Sequence, residues 1–291
     1  MFIRLAALPI LLLTAPILAE HYRPIVINDA SGRFVTPASS IIWKSTPHNS
    51  WGSASQIVLN GNGYYPESAE KPYSLQMSSN TTTPIMRGEV RNNELWGDAQ
   101  GGNDTERAEL DGFPVVYPKG AEFWFSYQLL VEPGAQQIST AGGFPGGPLA
   151  WGSIGQIHGK GNGAAVPFGL SFVGETLSVR TQTGAQAETI HWTMPGKLVR
   201  EQVYHIVGEI KITGDALSTL SVWVDGRQVC NVKGVPIGNA VDIGNYVKVG
   251  IYRGWQGDGY PPLAVQIANV EHGYASLLAR VTSPLPWPTV K

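Results

Sequence analysis

Four segments of the sequence place polar side chains at every second residue, the spacing of one face of a β-strand. Their types differ from the Lys, Glu, Thr and Ser of a solvated sheet. They include guanidinium and amide donors that bind anions, and imidazole and phenol groups that exchange protons. A solvated face is the usual interpretation of one such segment, but four together, with glycines that let a ligand approach, predict a cleft built on a sheet. The polar residues are Arg87, Glu89 and Arg91; Arg107 and Glu109; Gln156 and His158; and Tyr246, Lys248 and Tyr252.

The composition indicates that these segments belong to a turn-rich β protein. The chain has 291 residues with 35 Gly and 21 Pro, and 14% of its residues are charged, against about a quarter in an average soluble domain. This argues against coiled coils and helical bundles, and the abundant aromatic residues argue against disorder. Residues 122–131 are typical of a long aromatic strand, apolar residues alternate over residues 203–212, and Asp225-Gly226 is a hairpin signal. We therefore predict an all-β fold, an antiparallel two-sheet sandwich of the jelly-roll type.

The N-terminal segment has the pattern of an export signal. Residues 1–19 contain a short basic region with Arg4, an apolar run and Ala19 at the expected cleavage point. The run is shorter than the roughly 20 residues of a membrane span and is interrupted by proline; an uncleaved anchor is the alternative. We predict a signal peptide over residues 1–19, a single domain over residues 20–291, and a secreted or periplasmic protein that leaves the membrane after cleavage. The lone Cys230 excludes an internal disulfide.

Three of the polar segments follow the order of the strand motifs of a known family. Residues 107–110 (Arg-Ala-Glu-Leu), 156–158 (Gln-Ile-His) and 246–253 (Tyr-Val-Lys-Val-Gly-Ile-Tyr-Arg) resemble the motifs Arg-x-Glu-Leu, Gln-x-His and Tyr-x-Lys-x-Gly-x-Tyr of jelly-roll polysaccharide lyases. Residues 86–91 make the chain most similar to the heparin lyase I and glucuronan lyase group, with motifs shared with alginate lyases. The resemblance implies a concanavalin A-like sandwich and a secreted lyase that cleaves a uronic-acid polymer by β-elimination, leaving a 4,5-unsaturated uronate end.

The catalytic residues implied by the resemblance are Arg107, Gln156, His158 and Tyr252. β-Elimination requires a site that neutralises the uronate carboxylate and stabilises the enolate-like charge. The Arg107 guanidinium matches a carboxylate in shape, and the Gln156 amide adds a donor. His158 suits a donor or a base near neutral pH. Tyr252 matches the tyrosine of the family; a phenol donates a proton unaided, whereas as a base it needs nearby cations. Which of the two residues takes the proton stays open.

Other residues are predicted to bind substrate or to support the site. Arg87 and Arg91 are predicted to bind carboxylates at neighbouring subsites, and Trp255 to stack on a sugar. Glu109 is predicted to hold Arg107 or Arg87 through a salt bridge. The predicted substrate-binding residues are Arg87, Arg91, Lys248, Arg253, Tyr246 and Trp255.

The charge balance bears on the substrate and the partners. The chain has 20 Lys and Arg against 22 Asp and Glu, and a sulfated polymer such as heparin would favour a strongly basic surface. We therefore expect an unsulfated acidic polysaccharide, glucuronan or alginate, as the partner of a monomer that binds no nucleic acid. No cofactor is expected to be required, although a structural calcium ion held by loop carbonyls would leave no sequence pattern.

Two other functions compete with the lyase. The first is a non-catalytic, lectin-like carbohydrate-binding protein with a similar cleft. The second is a glycoside hydrolase on the same sandwich, which needs two carboxylates about 5–10 Å apart. The motif strands offer Arg, Gln, His and Tyr in place of a carboxylate pair, which argues against the hydrolase.

Overall fold

The computed structural model describes residues 57–59, 62–69, 71, 73–78, 83–92, 94, 105–134, 152–161, 166–184, 187–254 and 261–289. The predicted signal peptide lies outside these ranges, and the single domain over residues 20–291 stays a prediction. No helix in the described part of the chain is long and apolar enough to cross a membrane.

Within these ranges the chain forms sixteen strands and one short helix. In chain order they are β1 (Ile57–Leu59), β2 (Asn62–Ser68), β3 (Leu75–Ser78), β4 (Ile85–Val90), β5 (Thr105–Asp111), β6 (Tyr117–Pro118), β7 (Glu122–Val131), β8 (Gly152–Lys160), β9 (Phe168–Val173), β10 (Thr176–Thr183), β11 (Ala187–Thr193), β12 (Val203–Lys211), β13 (Thr219–Val224), β14 (Arg227–Lys233), β15 (Gly244–Gly254), β16 (Leu263–Gly273) and α1 (Ala279–Thr282).

The described strands form two antiparallel sheets that pack face to face. The nine-stranded sheet has the order β1-β2-β5-β15-β8-β9-β10-β11, with β6 paired to β15. The seven-stranded sheet has the order β14-β13-β12-β7-β16-β4-β3. Buried apolar side chains from both sheets, such as Leu110 and Val249 from one and Leu129 and Ile206 from the other, form the core. The predicted all-β, two-sheet antiparallel fold is confirmed.

Local sequence signals account for individual elements. Tyr204, Ile206 and Ile210 of β12 are buried, as their alternation predicts. Asp225 and Gly226 join β13 to β14 with φ angles of 48° and 77°. A type I′ turn requires positive φ at both positions, so the predicted hairpin is confirmed.

The close approach of β5 to β15 depends on Gly250. Its φ of 133° lies in the region that favours glycine. A Cβ there would lie 2.3 Å from the Ala108 carbonyl oxygen of β5 and 2.5 Å from the Glu109 Cα. Because glycine has no side chain, β5 can pair with β15, which also pairs with β8, and the three motif strands become neighbours.

Candidate active site

Three neighbouring strands bring the polar segments to one face of the nine-stranded sheet. Strand β15 lies between β5 and β8. Alternate residues of these strands, including Leu110, Ile157 and Val249, are buried in the core, so the polar residues occupy the opposite face. The residues in register across the strands are Tyr252 with Arg107, Tyr246 with His158, and Lys248 with Gln156. The four predicted catalytic residues therefore lie on one surface.

Arg107 lies against the ring of Tyr252. The Arg107 Cζ is 3.9 Å from the ring centroid, and its Nη1 donates a hydrogen bond to Glu67 Oε2 at 2.8 Å. Burial alone would lower the pKa of Arg107, but the charge of Glu67 and the interaction with Tyr252 outweigh it and raise the pKa. Arg107 thus stays charged, and its guanidinium lies as a fixed positive charge against the Tyr252 phenol.

One ring nitrogen of His158 is hydrogen-bonded to the backbone. Its Nδ1 lies 2.8 Å from the Gly159 carbonyl oxygen and 3.1 Å from the Tyr246 hydroxyl. Because a carbonyl oxygen only accepts, Nδ1 carries the proton and Nε2 has the lone pair. Burial, followed by the charge of Lys248, lowers the pKa of His158 to about 3. The imidazole is therefore neutral at any ordinary pH, with Nε2 as a proton acceptor.

Solvent exposure separates two kinds of residue on this face. His158 and Tyr252 are partly exposed, whereas Arg107 is 8% exposed and Gln156 and Lys248 are each 2% exposed. A bound molecule would therefore meet the imidazole and the phenol first. The buried residues act from beneath them.

A buried charge cluster lies among these strands and consists of Glu67, Arg107, Glu109, Asp111 and Lys248. The Lys248 ammonium lies 2.5 Å from Glu67, 3.5 Å from Glu109 and 3.3 Å from Asp111. Burial would raise the pKa of Glu67, but Lys248 and Arg107 outweigh it and lower the pKa to about 2. Burial raises the pKa of Asp111 to about 7 and also raises the pKa of Glu109. The three carboxyls are therefore not equivalent, and Glu67 is the ionised partner of both cations.

The hydrogen bonds around Glu109 differ from the predicted ones. Its Oε1 accepts from Gln156 Nε2 at 2.7 Å, and the partner of Arg107 is Glu67. The charge of Glu109 does act on Arg107, but the side chain hydrogen-bonded to Glu109 is Gln156, so Glu109 also orients the Gln156 amide. Glu67 was missed because its strand, β2, contains a proline and lies outside the polar segments. Its position two residues after Tyr65, on the same face, was the available signal.

The strands that carry this arrangement lie within a region of the chain that matches a known family. The family model for polysaccharide lyases matches residues 48–269, which is most of the chain. The chain belongs to the polysaccharide lyase family. No curated protein matches it in sequence.

Solved structures show which fold this polysaccharide lyase has. The endo-β-1,4-glucuronan lyase from the fungus Trichoderma reesei aligns with a TM-score of 0.53 at 16% identity, over 72% of this chain and 90% of that chain. A family 7 alginate lyase in complex with substrate aligns with a TM-score of 0.50 at 10% identity, over 72% and 90%. An alginate lyase from Pseudomonas aeruginosa aligns at 0.46, with 15% identity over 70% and 87%. The first two matches confirm the jelly-roll fold of the lyase.

Arg87 and Arg91 lie on the other sheet of the lyase. Arg87 lies in strand β4 and Arg91 follows the end of that strand. Gly88 between them faces Ala108 of the nine-stranded sheet, so the two arginines point away from it. Arg87 makes two 2.8 Å hydrogen bonds to Glu132, and the Arg91 Nε lies 2.6 Å from Glu89. The prediction that they bind substrate beside the catalytic residues is corrected, because the thickness of the sandwich separates them.

Arg91 offers a direct test of this correction. We expect Arg91→Gln to leave kcat/KM on the polymer within about twofold of the wild type, since exposed ion pairs contribute little. Urea unfolding should show a change of less than about 1 kcal/mol in the free energy of unfolding. A several-fold rise in KM would show that Arg91 binds substrate and would contradict the correction.

Arg253 lies within the fold rather than in the site. It alternates with Tyr252, so it points towards the other sheet, where it is fully buried. Its Nε donates to Glu106, which is also fully buried. The prediction that Arg253 binds substrate is corrected, because no surface of the side chain is available to a polymer.

Arg253→Met should therefore affect stability and not catalysis. Removing one member of a buried ion pair leaves the other charge buried without a partner, which lowers the free energy of unfolding by about 3–5 kcal/mol. We expect a loss of that size in urea unfolding, with kcat/KM per folded molecule unchanged. The double variant Glu106→Gln, Arg253→Met should recover part of the loss; an unaltered stability of the single variant would contradict the role.

Two further residues complete the comparison with the sequence. Trp255, predicted to stack on a sugar, lies outside the described residues. Arg180 of β10 was missed; its Nε lies near the Cβ position of Gly169, which pairs with Gln156, and its Nη1 donates two 2.7 Å hydrogen bonds to Glu188. No group of three His, Cys, Asp or Glu in the described part of the lyase is arranged to hold a metal ion.

Proposed function

We propose that this lyase cleaves an unsulfated uronic-acid polymer, of the glucuronan or alginate type, by β-elimination to leave a 4,5-unsaturated uronate end. The observation that carries the proposal is the pair of His158 and Tyr252. They are two partly exposed proton-exchanging groups on one sheet face. The cations Arg107 and Lys248 are buried on the same face.

In the proposed mechanism the lone pair of His158 Nε2 takes the C5 proton of the uronate. The electrons of the C5–H bond form the C4=C5 double bond, and the C4–O4 bond breaks. The Tyr252 hydroxyl gives its proton to O4 of the leaving sugar. Because the pKa of His158 is low, the neutral form that accepts a proton is present across the working pH range.

The buried cations supply the electrostatic part of the reaction. Removing the C5 proton places negative charge next to the carboxylate, and fixed positive charge in a buried site stabilises it. Arg107 lies against the acid, Tyr252, and the charge of Lys248 is the second cause of the lowered pKa of His158. The same field that makes His158 a weak base favours the anion that the reaction produces.

The overall charge balance supports an unsulfated substrate. The chain has 20 Lys and Arg against 22 Asp and Glu, so it lacks the strong positive charge that would attract a sulfated polymer. Two structural relatives with TM-scores of 0.50 and above are a glucuronan lyase and an alginate lyase. We further propose that the enzyme is exported, acts as a monomer and needs no cofactor for this chemistry.

The alternative of a hydrolase is less well supported by the geometry. Glycoside hydrolysis needs one carboxylic acid and one carboxylate facing the substrate. On this sheet face, the carboxyls of Glu67, Glu109 and Asp111 are at most 2% exposed and bind Lys248, Arg107 or Gln156. The partly exposed proton-exchanging groups are an imidazole and a phenol instead.

Purified protein incubated with glucuronan, alginate, heparin and a neutral β-glucan would test the proposal. We expect the ultraviolet absorbance of an unsaturated uronate to grow with glucuronan or alginate, together with new reducing ends. Reducing ends without that absorbance would mean hydrolysis. Binding without either product would mean a lectin-like protein.

A further inference from the structure

Strand β8 continues the polar face one step beyond the catalytic histidine. Gln156, His158 and Lys160 alternate along it and share a face. Lys160 is partly exposed, and the residue opposite it on β15 is Gly244. Two residues of a strand span about 7 Å, so Lys160 lies about one sugar ring from His158 along the strand.

An aromatic residue is fixed beside this lysine. The Lys160 Nζ lies 4.5 Å from the centroid of the Phe113 ring. Phe113 packs edge-to-face against Tyr246 at 5.3 Å, and the Tyr246 ring in turn contacts His158. The Phe113 backbone N–H donates to Asp111 Oδ1 at 2.7 Å, so Phe113 is held in place two residues after the end of β5. Lys160 and Phe113 are thus connected to the catalytic histidine by direct contacts.

Lys160 differs from the other cations on this face. Arg107 and Lys248 are buried against Glu67, and Arg180 binds Glu188. Lys160 forms no salt bridge with any residue that the structure describes, and it is partly exposed. The nearby carboxylate of Asp242 lies at the Cβ position of Gly159, which alternates with Lys160 and so faces the opposite side of the sheet.

We propose that Lys160 and Phe113 form a subsite that binds the uronate next to the one being cleaved. The ammonium pairs with the carboxylate of that sugar, and the Phe113 ring offers a flat apolar surface to the sugar ring. The subsite selects a polymer that carries a carboxylate on the adjacent unit, beyond the reacting one. This inference rests on the proposed function for its ligand, but it concerns binding and is tested by binding.

Calorimetric titration with glucuronan oligosaccharides of defined length tests the subsite. We expect Lys160→Met to bind them about fivefold to tenfold more weakly than the wild type, and Lys160→Arg to restore most of the affinity. The matched control is Lys233→Met, since Lys233 is exposed on β14 of the other sheet; it should bind as the wild type does. Oligosaccharides whose carboxylates have been reduced to alcohols should bind Lys160→Met and wild type equally. Phe113→Leu should weaken binding to charged and reduced oligosaccharides alike.

Kinetics separate the subsite from the reaction. Lys160→Met should raise KM for the polymer and leave kcat within about twofold, because the lysine touches a sugar that does not react. Equal affinity of Lys160→Met and wild type would overturn the subsite, whether or not elimination occurs. Weaker binding by Lys160→Met without any unsaturated product from the wild type would keep the subsite and overturn the proposed reaction. No binding by the wild type would overturn both.

Discussion

Replacing Tyr252 with phenylalanine is expected to lower kcat for polyuronate elimination by about 10³-fold, within the range for loss of a general acid. The substitution removes one oxygen atom and keeps the ring that lies 3.9 Å from the Arg107 Cζ. The packing and the cation–π contact are therefore retained, and O4 of the leaving sugar loses its proton donor. Initial rates of unsaturated uronate formation measure the loss, and calorimetry with glucuronan oligosaccharides should give an affinity within about threefold of the wild type.

The control for this variant is another tyrosine, outside the polar face that carries the site. Tyr274 is 63% exposed and follows β16 of the other sheet, so Tyr274→Phe should keep full activity. A Tyr252→Phe enzyme with near-native rates would remove Tyr252 from the acid role. Loss of affinity equal to the loss of rate would make it a binding residue instead.

Alternation along a strand predicted much of this site, because it is a local property of the backbone. The faces shared by Arg107 and Glu109, by Gln156 and His158, and by Lys248 and Tyr252 follow from spacing alone. The same rule separates Arg253 from Tyr252, since they are adjacent residues and must point to opposite faces. The prediction that Arg253 binds substrate gave more weight to its charge than to its position.

The pairing of strands was not predictable from these local patterns. Spacing shows that Arg87 and Arg91 share a face, but it does not show which sheet their strand joins. That is decided by long-range contacts, such as Gly88 packing against Ala108. Glu67 was missed for a similar reason, since its partner Arg107 is 40 residues away in the chain. Buried charges are stable only when paired. A sequence pattern that would indicate such a buried cluster is therefore a set of three acidic residues that share a face with cationic residues on adjacent strands.

Glu67→Gln should produce the largest loss of stability among substitutions on the polar face, about 3–5 kcal/mol of unfolding free energy at pH 6. Glu67 is the ionised carboxylate shared by Arg107 and Lys248, at 2.8 and 2.5 Å, and glutamine keeps the shape while removing the charge. Because the lowered pKa of about 2 compares with an ordinary 4.5, this contribution is complete above about pH 4.5. It is lost as the pH falls through 2.

Asp111→Asn is the matched control, because it removes a carboxyl from the same cluster with the opposite pH dependence. Burial raises the pKa of Asp111 to about 7, so the folded protein keeps this proton at pH 6 and asparagine resembles the neutral acid. The stability that Asp111 contributes is complete below about pH 4 and is lost as the pH rises through 7. Relative to Asp111→Asn, the wild type should therefore become less stable from pH 4 to pH 7 in urea unfolding. If Asp111→Asn were as damaging as Glu67→Gln at pH 6, both carboxyls would be ionised in the folded protein. Glu67 would then not be the single ionised carboxylate that pairs with Arg107 and Lys248.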